Sequence, residues 1–324
     1  MSRWKSALYT LGLAAGLLLF AVQIVRGARS VLETGALPSL PALALAQALM
    51  LVLLGLQMWT WQTVMVGLGA RLSYREAARG YPLSFIPRYI PGSVWGYLSR
   101  GEWLHRGYGV SYSVANLGSI VDILVTLTSS GMVIGLYGLL AEPQPALRLG
   151  GLALLAGLPW AVYAALRAAP RLPFLARWRQ RFSLDTLEGI TLPVWWRCLG
   201  IFCLQWLLLG AITLILIAAA APESVPALTA GGLLKATFAF SLAWTAGFLI
   251  LLVPGGLGVR ELALSGLLVS LFGLTPAAGA LAAILTRLIY SLAEAGWILY
   301  GLAASRLAPL APAGTRKEGQ SHPN

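Results

Sequence analysis

Cys198-Leu-Gly-Ile-Phe-Cys-Leu-Gln-Trp-Leu-Leu-Leu-Gly-Ala-Ile-Thr-Leu-Ile-Leu-Ile-Ala-Ala-Ala-Ala-Pro222 carries no charge from end to end. A helix needs roughly 20 apolar residues to cross about 30 Å of hydrocarbon, and this run has them. It lacks the apolar–polar alternation of a barrel strand. Only helices and closed barrels satisfy their backbone in lipid, so the run reads as a membrane-spanning helix. The same texture extends outward in both directions. Leu8 to Val25, Thr34 to Ala70, Leu149 to Leu166 and Leu262 to Thr286 are uncharged, and Gly107 to Ala141 carries only Asp122. Over the 324 residues, 58% are hydrophobic and 10% charged, against about 25% charged in a soluble domain. The expected fold is an all-α, polytopic membrane bundle of about six to eight spans.

Full spans are expected near 7–25, 39–69, 112–140, 148–167, 197–221 and 278–304. Two further apolar stretches, about 80–104 and 230–272, are interrupted by Pro and Gly and contain charges. Each is expected to be a re-entrant or broken-helix pair. Arg3 and Lys5 before the first run resemble the basic start of a signal peptide. That run ends in Arg26 and Arg29 without a small-x-small cleavage site, so a retained helix is expected.

The net charge of +12 is distributed by topology. With the N-terminus inside, the inner segments hold Arg3, Lys5, Arg71, Arg75, Arg79, Arg106, Arg167, Arg171, Arg177, Arg179, Arg181, Arg197, Arg306, Arg316 and Lys317. The outer segments hold only Arg26, Arg29 and Arg148. Fifteen against three follows the positive-inside rule and places both termini in the cytoplasm, in a plasma (inner) membrane. The basic loop from Arg167 to Arg197 reads as a topology anchor touching anionic headgroups rather than a nucleic-acid patch. The tail after residue 305 is polar and expected to be disordered, leaving a membrane domain over 1–305.

Two segments resemble each other. Phe85-Ile-Pro-Arg-Tyr-Ile-Pro91-Gly92-Ser-Val-Trp-Gly96-Tyr-Leu-Ser-Arg100-Gly-Glu102 and Phe248-Leu-Ile-Leu-Leu-Val-Pro254-Gly255-Gly256-Leu-Gly258-Val-Arg260-Glu261 share an apolar approach, Pro-Gly, a further Gly, then Arg with a nearby Glu. Gly109-Val-Ser111 follows the first and Gly273-Leu-Thr275 the second. A long span comes next in each case, carrying Asp122, or Arg287 and Glu294. In the topology above the two halves are inverted repeats, and broken helices at matched positions point to a site near the midplane. A half-helix starting after Pro-Gly aims its N-terminus at a cavity that favours an anion. Arg260, one turn in, adds a bidentate phosphate donor.

These residues resemble the family named for the transmembrane region of lysylphosphatidylglycerol synthase, the flippase-like domain proteins. The most specific stretch is Pro254-Gly-Gly-Leu-Gly-Val-Arg260-Glu261 with Gly273, the small residues Ala277 to Ala283, and Arg287-Leu-Ile-Tyr290. Pro91-Gly92 through Gly96, Arg100 and Gly109-Val-Ser111 fit the family's earlier block, and the resemblance covers residues 5–305. One departure stands out: Gly118 and Ser119 occupy the places of a Glu-Arg pair before Asp122. The resemblance implies a membrane domain that moves a lipid headgroup between leaflets. In the best-known members this domain is joined to an aminoacyl-transfer domain, and in others to a glycosyltransferase. The sequence ends at Asn324, so the membrane part alone is expected.

The expected headgroup-binding set is Pro91, Gly92, Gly96, Arg100, Pro254, Gly255, Gly258, Arg260 and Arg287. Asp122, Glu261 and Glu294 are expected to balance charge or couple to protons; intramembrane charges are costly and mostly paired or functional. The bland alternative is a salt-bridge network that only holds helices together. Lys235 could instead snorkel to an interface. No His/Cys/Asp cluster has metal-ligand spacing, and no Gly-x-Ser-x-Gly or Walker loop occurs. No catalytic residues and no cofactor are therefore expected. Cys198 and Cys203 read as buried hydrophobes, and His105 as a solvated loop residue. Trp59, Trp61, Trp195, Trp196 and Trp206 read as interfacial or packing aromatics. The expected function is a lipid translocase for an anionic or aminoacylated phospholipid or a polyprenyl-phosphate-linked lipid. The alternatives are a non-transporting partner of a separate lipid-modifying or glycosyl-transferring enzyme, or an embedded transferase. Membrane lipids, and no nucleic acid, are the expected partners.

Overall fold

A computed structural model describes residues 38–87, 95–221, 229–250 and 256–307, with scattered positions between 18 and 32. Every regular element among them is helical. The principal helices are α1 (Leu40–Gly67), α2 (Tyr74–Gly80), α3 (Trp95–Tyr108), α4 (Tyr112–Ala141), α5 (Pro145–Leu152), α6 (Leu158–Ala168), α7 (Leu192–Ala220), α8 (Ala230–Leu249), α9 (Val259–Phe272) and α10 (Pro276–Leu307). A π turn, Ala153–Gly157, joins α5 to α6 in one apolar rod.

Six of these helical rods are long and apolar enough to cross a membrane. Five match the spans expected from the sequence. The sixth is Ala230–Leu249, the first arm of the second interrupted stretch. The expected first span, 7–25, lies almost wholly outside the described residues, as does the tail beyond Leu307. The chain is thus a multi-pass, helical membrane protein.

Prolines at the first turns of α1, α5 and α7 occupy positions where the missing N–H costs nothing. Polar side chains inside the spans satisfy themselves locally or across helices. Thr60 and Thr63 return hydroxyl hydrogens to Leu56 and Trp59 carbonyls. Trp206 Nε1 donates to Ser129 Oγ at 3.0 Å, and the hydroxyls of Ser130 and Thr245 pair at 2.7 Å. Without water to drive association, such bonds and close small-residue packing hold spans together. An alanine-rich second core does the latter, with Ala236, Ala239, Ala243, Ala278, Ala282 and Ala283 all buried between α7, α8, α9 and α10.

The two interrupted stretches differ from each other. The second is a helical hairpin: Lys235 Nζ donates to the Leu271 carbonyl at its base, and Gly247 meets Arg260 near its tip. The first is not a pair of helical arms. Its approach is the seven-residue α2 and a 3-10 turn, Tyr81–Phe85, too short to cross. Pro82 and Pro87 each remove a backbone donor there, and the capping box of Ser73 and Glu76 starts α2 as a separate short helix. Only α3 remains as a full arm.

What does repeat is the unit of a short helix and a long one. α3 and α9 have 14 residues each, and the following α4 and α10 have 30 and 32. Both joints turn at a left-handed glycine, Gly109 (φ 65°) and Gly273 (φ 67°), a backbone state that glycine adopts without strain. Both then use a hydroxyl cap: Ser111 accepts from Val114 N and Thr275 from Ala278 N. Directions follow from contacts. Ser130–Thr245 and Tyr137–Phe238 make α4 antiparallel to α8. The hairpin makes α8 antiparallel to α9. Hence α4 and α9 run the same way, although α4 is the long member of its unit and α9 the short member of the other. The two units are inverted.

Candidate functional site

The tip of the second hairpin builds a charged cleft. Gly258, at φ 80°, caps α9, and its N–H donates to Glu261 Oε2 at 2.6 Å. The carboxylate three residues into a helix thereby satisfies an orphan donor and complements the N-terminal dipole. Its other oxygen, Oε1, lies 3.6 Å from Arg287 Nη1 on α10. Arg260, one residue earlier, points the other way around the helix. Its guanidinium carbon is 5.1 Å from the centroid of the Trp244 ring.

Arg260 reaches that ring because two glycines leave room. A Cβ on Gly247 would stand 2.3 Å from Arg260 Cγ, and one on Gly256 would stand 2.9 Å from its Nε. Gly247→Ala is therefore expected to push Arg260 off Trp244. Losing one charge-assisted hydrogen bond to a bound anion weakens binding about tenfold or more. Titration of a short-chain phosphatidylglycerol against the purified variant measures this.

Phe240, Ala243, Trp244, Leu264, Ala283, Thr286 and Tyr290 complete the walls with Arg260, Glu261 and Arg287, around a cleft of about 40 Å³. The wall is of the kind usual in ligand sites, mostly apolar with a few converging polar groups. Two guanidiniums and one carboxylate leave the cleft one formal positive charge. In a low-dielectric surround that charge favours a single anion, and a fork of guanidinium N–H groups suits a phosphate.

The first unit carries a mirror arrangement with the charges exchanged. Here the short helix supplies the cation and the long helix the anion: Arg100 Nη1 lies 3.2 Å from Asp122 Oδ2, both buried. The guanidinium also faces aromatic rings, 4.6 Å from the Tyr81 centroid and 5.9 Å from Trp61. Cation–π attraction strengthens as water is removed. Gly96 is buried on the first turn of α3 and its carbonyl accepts from Ser99 Oγ at 2.9 Å.

The expected residues thus fall into separate groups. Gly258, Arg260, Glu261 and Arg287 converge on one cleft. Arg100 and Asp122 pair inside a second, aromatic-walled box. Glu294 is 2% exposed on α10 and is not among the residues lining the cleft. Pro91, Gly92, Pro254 and Gly255 lie outside the described residues. Lys235 is exposed and bonds the C-terminal turn of α9, as a terminal lysine should. His105 is not in a loop: it ends α3, with Nδ1 3.0 Å from the Val110 carbonyl. Cys198 and Cys203 are free thiols, the first buried.

Sequence reading passed over the aromatic partners. Trp244 and Phe240 precede the motif on a different arm, and only the hairpin brings them to Arg260. Trp61 reads as packing, yet it walls the box of Arg100. At the departure before Asp122, a Cβ on Gly118 would come 2.3 Å from Met65 Sδ. Ser119 is buried and bonds the Ala115 carbonyl. In this packing α4 lies too close to α1 for a long side chain at 118.

Compared with curated proteins, the chain matches none. Residues 7–293 match the family model described as the lysylphosphatidylglycerol synthase TM region. That match spans both inverted units, takes in Arg100, Asp122, Arg260, Glu261 and Arg287, and ends one residue before Glu294. The chain belongs to the lysylphosphatidylglycerol synthase TM region family.

Proposed function

We propose that the protein is a lipid translocase that carries a phosphate-bearing lipid headgroup between leaflets. The observation that supports this most is the cleft of Arg260, Glu261 and Arg287, positively charged and walled by Trp244, Phe240, Leu264 and Tyr290. An apolar wall with a guanidinium pair inside it matches the two parts of a phospholipid. Anionic or aminoacylated phospholipids and polyprenyl-phosphate-linked lipids all present the phosphate such a pair takes. Arg287 holds Glu261, and a phosphate entering there competes with that carboxylate. The displaced carboxylate keeps its charge on the Gly258 N–H or takes up a proton. Glu294, buried seven residues along the same face of α10, is assigned to the same balance, and Pro254-Gly255 to the cleft mouth. Arg100 and Asp122 form the corresponding latch of the other half. The excess of basic residues in the inner segments supports cytoplasmic termini and an inner-membrane location.

The test is reconstitution in liposomes with labelled phosphatidylglycerol, lysyl-phosphatidylglycerol, a polyprenyl phosphate and phosphatidylcholine. The expected result is faster transbilayer movement of one or more phosphate-charged lipids, and none for phosphatidylcholine. A folded protein that accelerates none of them overturns the reading. It leaves a non-transporting partner of a separate lipid-modifying enzyme in its place.

A further inference from the structure

The segment between α6 and α7 has two unlike sides. Its underside is packed: Leu184, Leu187 and Ile190 are buried in the main core, and Ser183 Oγ lies 2.7 Å from Ser113 Oγ at the start of α4. Its other side shows large apolar rings to the outside. Phe174 is 67% exposed and Trp178, four residues on, 38%. Around them stand five arginines and two carboxylates between Arg167 and Glu188.

Part of that charge is engaged within the segment. Arg167 donates to the Glu188 carbonyl, Arg179 pairs with Asp185 at 2.6 Å, and Arg171 lies 3.9 Å from Glu188. Exposed pairs of this kind add little; the buried Leu184, Leu187 and Ile190 hold the segment on the core. Arg177 and Arg181 have no carboxylate partner among the described residues, and Arg181 lies 5.6 Å from the Trp178 centroid. The result is two unneutralised guanidiniums flanking two exposed aromatic rings on a rigid base. The base joins the ends of two membrane helices, and Trp196 lies in the second turn of the one that follows it. Tryptophans near span ends mark the headgroup level.

We propose that this face is a docking surface for an anionic phospholipid leaflet. Phe174 and Trp178 enter the headgroup layer and Arg177 and Arg181 bind lipid phosphates from acidic headgroups. A chain needing only a topology signal requires positive charge there, not exposed rings. A soluble acidic partner would pair the charge but leave Phe174 in water. An interfacial surface uses both, since apolar burial and attraction to anionic lipid add. The surface therefore gathers acidic lipid beside the bundle. It does not depend on the cleft, and a protein that moves no lipid can still show it.

The test uses the full chain with Cys198→Ala and Cys203→Ala, labelled with bimane through Ala176→Cys, in nanodiscs containing phosphatidylcholine and phosphatidylglycerol. Quenching by shallow spin-labelled phosphatidylglycerol is compared with that by the phosphatidylcholine analogue. One arginine near an anionic surface corresponds to about fivefold enrichment, so the acidic lipid is expected to be enriched at least that much beside the label. Arg177→Gln with Arg181→Gln brings the ratio close to unity. Phe174→Ser with Trp178→Ser lowers quenching by both lipids alike. Gel filtration confirms that each variant is folded. Equal quenching by the two lipids in the parent overturns the proposal. So does a label quenched by aqueous iodide and by neither lipid, the result expected if the face docks a soluble acidic protein.

Discussion

Asp122→Ala is expected to destabilise the bundle by about 3–5 kcal/mol, the usual cost of leaving one member of a buried ion pair without the other. Asp122 and Arg100 are each 5% exposed, so water cannot replace the lost carboxylate. Tyr81 and Trp61 offer ring faces to the guanidinium, but a ring quadrupole supplies only about 0.5–2 kcal/mol and does not neutralise a charge. Reversible unfolding in mixed detergent micelles, or steric trapping in bicelles, measures the loss. Arg100→Met with Asp122→Leu is expected to recover most of it, because apolar groups of similar volume often replace a buried pair at little cost. The double variant also separates two roles. If the pair is only a latch between α3 and α4, the folded double variant moves lipid within about tenfold of the parent rate, a difference of about 1.4 kcal/mol. Loss of transport in a folded double variant shows instead that Arg100 belongs to the lipid path.

The exchange of charge between the two units was half legible in the sequence. Asp122 stands alone in an apolar run, and Arg287 follows the uncharged run from Leu262 to Thr286; charges of that kind require partners. The partner of each could not be read from spacing. Arg287 and Glu294, seven apart, share a helix face, and both read as parts of one charge balance. The structure brings Glu261 to Arg287 at 3.6 Å, because the three-residue joint at Gly273 folds α9 back along α10. The same geometry at Gly109 brings Arg100 to Asp122. Joints of Gly, an apolar residue and Ser or Thr were visible in both places, so the repeat itself could be seen. The aromatic walls could not. Trp61 and Tyr81 approach Arg100 through contacts between separate elements, and Trp244 comes from the opposite arm of a hairpin. Long uncharged spans were the clearest signal, since lipid imposes length and composition on each helix independently of its neighbours. The stretch at 80–104 misled for the same reason. Apolar composition there reflects burial of Tyr81 and Phe85 in the protein core rather than the first arm of a helical pair.

Arg260→Glu is expected to reduce headgroup transport about 100-fold or more while leaving the fold intact. A charge-assisted hydrogen bond to a phosphate contributes about 1.5–3 kcal/mol, and reversal adds repulsion from a second carboxylate beside Glu261. The fold is expected to tolerate the change because the Glu261 carboxylate is held by the Gly258 N–H and Arg287, while the Arg260 guanidinium lies over the Trp244 ring. Arg260→Lys sharpens the test. It keeps the charge but loses the planar stack and the bidentate fork, so an intermediate loss of about tenfold, one charge-assisted bond, is expected. A site that needed only positive charge would run at the parent rate with lysine. Glu261→Gln gives the opposite signature. It retains an acceptor for the Gly258 N–H but frees Arg287 from its carboxylate, so an anionic headgroup no longer competes for that arginine. Tighter binding with slower release follows, since a site must bind well enough to load and weakly enough to unload. Measuring headgroup affinity and flip rate on the same three variants orders the roles. In the proposed function, Arg260 sets whether the phosphate enters, and the Glu261–Arg287 pair sets whether it leaves. Full transport in Arg260→Glu would remove the cleft from the path and return both ion pairs to the holding of helices.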